Sequence, residues 1–137
     1  MHTMVDSNVL IDIAYRDPQW RDWSAGQIRD AARSGLLFIN PVIYSEFSYR
    51  FEAIDDVDAV LDPEEFRREP LPFAAAFAAA QAFRIYRAKG GARQRVLPDF
   101  FIGAHAAIRG YRILTRDPSG YRAYFPDLDI IAPDTHP

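Results

Sequence analysis

The stretch His2-Thr3-Met4-Val5-Asp6-Ser7-Asn8-Val9-Leu10-Ile11 decides the fold. A short extended run, His2 to Val5, meets three consecutive residue types that cap helices, Asp6, Ser7 and Asn8. Val9, Leu10 and Ile11, followed by Ile13 and Ala14, then continue as the start of a buried helix. The reading is a strand that delivers Asp6 at its carboxyl end and passes directly into a helix.

The same alternation continues outward. Asp17-Pro18 is a turn, and a helix from about Trp20 to Arg33 is stopped by Ser34-Gly35. Leu36-Leu37-Phe38-Ile39 is uniformly apolar, which suits an interior parallel strand buried on both faces. Asn40-Pro41 places a cap and a first-turn proline before a helix carrying Glu46. The acidic, proline-bearing stretch from Asp55 to Pro72 reads as short helix and loop. Phe73 to Ala88 is an alanine-rich helix with Phe73, Phe77, Ala80 and Phe83 along one stripe, ended by Gly90-Gly91. After a basic connector from Ala92 to Leu97, Pro98-Asp99 opens a helix from Phe100 to about Arg109. Arg112 to Thr115 is a strand, Arg116 to Gly120 a turn, and Leu128 to Ile131 a last strand. Helices alternating with short apolar strands predict an α/β fold, a three-layer α/β/α sandwich on a mainly parallel sheet.

The chain has 137 residues, which suits a single domain spanning 1–137, since a domain runs to about 100–200 residues. It has no cysteine, so disulfides, thiolate zinc sites and cysteine nucleophiles are excluded. No basic and apolar leader opens it. The longest apolar stretch, Leu71 to Phe83, is interrupted and too short to span a bilayer, so a cytoplasmic protein without membrane contact is expected. The net charge of −3 conceals an asymmetry: from Arg84 to Arg122 nine basic residues face only Asp99 and Asp117. Lys89 is the only lysine, and arginine forks onto phosphate oxygens where a lysine cannot. That segment either grips a polyanion or pairs with the acidic remainder of the chain.

Ligands of an open parallel sheet bind beyond the carboxyl ends of its strands, where the strand order reverses. Asp6 ends the first strand, Glu46 lies early in the helix after the second, and Asp117 follows the strand ending at Thr115. Asp99 opens the helix that feeds that strand, and helix polarity is expected to leave it at the opposite edge. Each acid has an ordinary alternative. Asp6 and Asp99 could cap helices, Glu46 could pair with Arg50, and Asp117-Pro118-Ser119-Gly120 fits a type I turn.

Val5 to Asp12 resembles the opening signature of PIN-domain nucleases. Ser45-Glu46-Phe47 resembles their second acidic motif, Leu97-Pro98-Asp99-Phe100-Phe101-Ile102-Gly103-Ala104-His105-Ala106 the third, and Ile113-Leu114-Thr115-Arg116-Asp117 the fourth. Tyr121 to Phe125 fits the aromatic segment that often follows. The motifs are individually short, but all four occur in family order across nearly the whole chain, which in length is similar to the VapC toxins of type II toxin–antitoxin pairs. The resemblance implies a metal-dependent endoribonuclease that leaves a 5′-phosphate and a 3′-hydroxyl. It implies Asp6, Glu46, Asp99 and Asp117 as catalytic residues and metal ligands, with Asp99 reaching the pocket of Asp6. A cognate antitoxin and a homodimer are implied as partners.

The chemistry agrees with that expectation. Two carboxylates 4 Å apart repel by about 4 kcal/mol at an effective dielectric of 20, so three or four together need a counter-charge. Oxygen donors without cysteine or clustered histidine select Mg²⁺ or Mn²⁺ over zinc. His105, among Ala104, Ala106 and Ala107, is expected to be a packed helix residue rather than a ligand. Asn8 and Thr115 are candidates for orienting the carboxylates, and Arg116, Arg93 and Arg95 for holding the RNA backbone. Two rival functions remain: a catalytically inactive PIN-like module that binds RNA or protein, and a phosphatase acting through a phosphoaspartate. The second normally needs an acid at the position of Asn8 and a downstream lysine in a matching motif, and Lys89 lies in none.

Overall fold

The computed structural model describes residues 1–91 and 97–137. Five short parallel strands form one sheet: β1 (Thr3–Val5), β2 (Leu37–Ile39), β3 (Phe66–Arg68), β4 (Arg112–Leu114) and β5 (Ile130–Ile131), in the order β3-β2-β1-β4-β5. The helices are α1 (Ser7–Ala14), α2 (Arg21–Ser34), α3 (Pro41–Ser48), α4 (Ile54–Val60), α5 (Phe73–Ala88), α6 (Leu97–Arg109) and α7 (Ser119–Tyr124). The expected parallel α/β architecture is present.

Strand order decides where the site lies. From β1 the chain builds outward to β2 and β3 on one side, then returns to place β4 and β5 on the other. The order therefore reverses between β1 and β4, and the crevice beyond their carboxyl ends is the natural ligand position. Met4 pairs with Ile113 and Val5 with Leu114 across that junction. Asp6 continues the ladder, donating its backbone N–H to the Leu114 carbonyl at 2.9 Å. Met4, Val5, Ile39, Ile113 and Leu114 are sealed from solvent. Burying each such side chain contributes about 1.5–3 kcal/mol, which holds the acid-bearing strand ends in place.

Helix polarity corrects one expectation. A helix that feeds a parallel strand runs antiparallel to it, so its amino end lies at the carboxyl edge of the sheet. Asp99, in the first turn of α6, is therefore on the same edge as Asp6 without any help from the connector. Gly103 allows α6 to sit close enough: a Cβ there would stand 2.6 Å from the Phe125 ring and 3.1 Å from the Tyr121 ring.

Other differences are local. The stretch from Asp55 to Pro72 hides β3, where Phe66 is buried and Arg67 and Arg68 are exposed. A three-residue edge strand with one inward side chain has too little periodicity to read. Asp117 to Gly120 does not form a free-standing turn, because Pro118 leads into α7 and its carbonyl accepts from the Arg122 N–H at 3.0 Å. The phenylalanine stripe of α5 is split: Phe73, 94% exposed, and Phe77, 69% exposed, face outward, Phe83 packs on Phe100, and Ala75, Ala79 and Ala82 are buried with Phe100 and Ala104 of α6. Small side chains let the two helices approach closely, and packing rather than hydrophobicity chose the buried face.

His105 is fully buried and makes two hydrogen bonds, as expected of a packed helix residue. Asn40 caps α3 by accepting from the Ile43 N–H at 2.9 Å, so its amide nitrogen faces His105 Nδ1 at 3.0 Å. Nδ1 must therefore accept, and Nε2 donates to Glu69 Oε1 at 2.8 Å. This bond network joins the cap of α3 to the middle of α6, and so couples the helix carrying Glu46 to the helix carrying Asp99.

Candidate active site

Asp6 is the centre of the site and is only 4% exposed. Its Oδ1 accepts from the Ser7 N–H at 2.8 Å, and its Oδ2 from the Thr115 hydroxyl at 2.8 Å and the Tyr121 hydroxyl at 3.0 Å. Burial raises its pKa above the ordinary carboxylate value despite these three donors, with the Asp117 charge adding to the rise.

Thr115 is committed to Asp6 by its own partners. Its hydroxyl accepts from Asn8 Nδ2 at 3.3 Å and from the Asp117 N–H at 3.1 Å. With both lone pairs taken, its proton is free to go to Asp6. Asn8 is fixed in turn, because its Oδ1 accepts from the Arg116 N–H at 3.1 Å. Asn8 and Thr115 thus form a relay of hydrogen bonds that orients the Asp6 carboxylate.

Glu46 and Asp99 approach from two other helices. The Ser7 hydroxyl donates to Glu46 Oε1 at 3.0 Å. Burial, and then the Asp6 charge, raise the Glu46 pKa against that hydrogen bond. Asp99 Oδ1 lies 3.5 Å from the Tyr121 hydroxyl. Its pKa is pushed up to about 7, first by burial and then by the charges of Asp6, Glu46 and Asp117. Asp117 lies exposed at the rim, where the Ser119 hydroxyl donates to its Oδ1 at 3.2 Å. Its charge is felt by both Asp6 and Asp99.

The four acids named by the sequence therefore gather at one edge, with Asp117 the most peripheral. Among the described residues no arginine or lysine is ion-paired with any of them. The nearby cation, Arg116, is engaged elsewhere. Its Nε and Nη2 fork onto Asp12 at 2.8 and 2.9 Å, and Asp12 is 1% exposed and also accepts from the Ser24 hydroxyl. The Arg116 guanidinium lies over the Trp20 ring, 5.6 Å from its centroid. That geometry makes Arg116 a brace between the end of β4 and α1. Arg93 and Arg95 lie outside the described residues.

Among the described residues no three carboxylate or histidine side chains are already drawn together as a metal shell. The donor set nevertheless fits a hard divalent cation: it offers only oxygens, Asp6 is buried with Glu46 and Asp99 half-buried, and among the described residues no arginine or lysine is paired with it. Such an ion would bring Asp99 down from about 7 into the ionised form.

Tyr121 and Ser7 are the residues that the sequence reading did not single out for the site. Tyr121 is 1% exposed, and its phenol pKa is raised well above its ordinary value, by burial and then by the charges of Asp6 and Asp99. Its place in an aromatic segment signalled only core packing. Its hydroxyl could have been suspected because a buried phenol nearly always finds a polar partner.

Residues 3–126 match the PIN domain family model, and the chain belongs to the PIN domain family. Solved structures with the same fold include VapBC2 from Rickettsia felis bound to a DNA fragment from their promoter. It has a TM-score of 0.74 and 15% identity, over 96% of this chain and 98% of that chain. DNA-bound VapBC from Salmonella typhimurium aligns with a TM-score of 0.70 and 19% identity over 96% and 98% of the two chains. A toxin–antitoxin complex from Klebsiella pneumoniae aligns with a TM-score of 0.64 and 17% identity over 94% and 95%. No curated protein matches this sequence.

Proposed function

We propose that this PIN-domain chain is a Mg²⁺- or Mn²⁺-dependent endoribonuclease, the toxin of a toxin–antitoxin pair, with residues 1–137 acting as one nuclease domain in the cytoplasm. The observation that carries the reading is the convergence of Asp6, Glu46 and Asp99 at one partly buried edge, where burial raises all three pKa values and the charge of a neighbouring acid adds to each rise. Structural proteins do not maintain such a cluster without a use for it, because uncompensated buried charge costs stability.

Asp6 and Asp99 would be the principal metal ligands, with Glu46 and Asp117 completing the coordination directly or through water. A divalent ion held there supplies positive charge to the scissile phosphate and lowers the pKa of an attacking water. The protein residues supply position. Ser7, Thr115 and Tyr121 fix Asp6, and Asn8 holds Thr115. The products would carry a 5′-phosphate and a 3′-hydroxyl, since an attacking water needs no ribose 2′-hydroxyl.

The antitoxin partner is supported by the complexes that share this fold. A homodimer is supported by Phe73, Phe77 and Ile85, three large apolar side chains exposed on α5. The alternative of a phosphoaspartate enzyme is disfavoured because Asn8 stands where its acid would be and is hydrogen-bonded to Thr115 and Arg116.

The test is cleavage of end-labelled RNA by purified protein in Mn²⁺, with chelator and Asp99→Asn as controls. Metal-dependent scission lost in Asp99→Asn is expected. Undiminished cleavage by Asp99→Asn, or in chelator, overturns the assignment. Retention of RNA without any scission would favour the inactive binding module instead.

A further inference from the structure

Beside Asp99 a narrow apolar slot opens between α5, α6 and α7, lined by Tyr86, Asp99, Phe100, Gly120, Tyr124 and Phe125. We infer that this slot holds one unpaired base of the RNA substrate, next to the phosphate that is cut; the inference rests on the ribonuclease reading above.

Three observations define the occupant. First, the walls are aromatic but incompletely buried. Phe100 is sealed in the core, whereas the rings of Tyr86 and Tyr124 are half-exposed, 5.7 Å apart and edge-to-face at 80°. Tyr86 also packs against Phe100 at 5.5 Å and Tyr124 against Phe100 at 5.2 Å, so the floor is rigid. A planar base with a π face is the ligand that such rings bind, in a sequence-tolerant way.

Second, the slot is continuous with the acid pocket, since Asp99 lines it. A nucleotide carries its base and its phosphate on one sugar, so a base in the slot brings its own phosphate to the carboxylates. A lipid tail would have no comparable reason to sit against Asp99.

Third, the rim is cationic where the polyanion must run. The Lys89 ammonium lies 5.9 Å from the centre of the Tyr124 ring. Lys89 thus sets a positive charge at the rim, suited to a phosphate beside the cut. The base must be unpaired, because a paired base shows the protein only its edges.

Gly120 provides a test that spares the packing. A Cβ added there meets no heavy atom within 4 Å, so the backbone has room to begin the larger side chain of Gly120→Leu at the slot's edge. A short single-stranded RNA cut by the wild-type protein in Mn²⁺ would be remade with an abasic nucleotide at each position flanking the cut. An abasic substitution at one of these positions is expected to lower kcat/KM about tenfold or more. Tyr124→Leu and Gly120→Leu are each expected to lower cleavage of the intact RNA to a similar degree, with little further effect on the abasic RNA. Circular dichroism and thermal melting would confirm that both variants are folded. Abasic RNA cleaved as fast as intact RNA at every position overturns the slot while leaving the ribonuclease reading standing. Equal losses on intact and abasic RNA in folded variants also overturn it. No cleavage of any RNA by the wild-type protein overturns the proposed function and the slot with it.

Discussion

The Tyr121 hydroxyl donates a 3.0 Å hydrogen bond to Asp6 Oδ2 across 115 residues of chain, and the same oxygen lies 3.5 Å from Asp99. One phenol therefore ties the end of β1 to the start of α6. Tyr121→Phe removes only that oxygen and keeps the buried ring. It is expected to fold, to lose about 1–2 kcal/mol in chemical denaturation, and to cleave RNA several-fold more slowly. Wild-type stability and activity in Tyr121→Phe would show that the contact has no consequence.

Asp6→Asn and Asp99→Asn are expected to abolish cleavage. Each also removes one charge from the repelling set. Asp99→Asn should melt higher than the wild type in chelator at neutral pH, by the equivalent of about 1–3 kcal/mol, whereas in Asp6→Asn the lost acceptor for the Ser7, Thr115 and Tyr121 donors offsets that gain. A lower melting temperature in Asp99→Asn would mean that its charge is compensated in the native protein.

The metal-free wild type should lose stability as pH rises. Asp99 binds its proton up to about 7 in the folded chain, against an ordinary value of 3.8. Between those values the folded state holds more protons than the unfolded one, so stability is highest below about pH 4 with respect to this group and declines towards pH 7. Melting curves in chelator should show the decline, and Asp99→Asn should flatten it.

Mg²⁺ or Mn²⁺ should reverse the loss. An ion bound only by the folded state raises stability by about 2.7 kcal/mol at a hundred times its Kd. The rise in melting temperature should be greatest at pH 7 and above, and should shrink as the carboxylates protonate. A melting temperature indifferent to both ions and pH would count against a shared pocket.

Arg116→Ala leaves Asp12 buried without its fork. A loss of about 3–5 kcal/mol is expected, measured by urea denaturation, with Arg116→Lys restoring only part because an ammonium cannot form both bonds. A near-neutral Arg116→Ala would mean that the fork does not brace the fold.

The sequence by itself determined the architecture and the ends of the strands. Val5-Asp6 and Leu114-Thr115 are apolar runs that terminate in polar residues, and periodicity and capping place them without knowledge of the fold. What escaped was whatever depends on contacts between distant segments. β3 exists because Phe66 docks beside Leu37, a pairing invisible in a three-residue strand. Tyr121 looked like a core ring until its hydroxyl met Asp6. The fork of Arg116 onto Asp12 joins two elements and has no local signal. Asp99 was misplaced by polarity read locally; the direction of α6 relative to β4 put it right. Local interactions fix which element forms, whereas the partner of each polar atom is set by how the elements pack, and in this protein the candidate site consists of such partners.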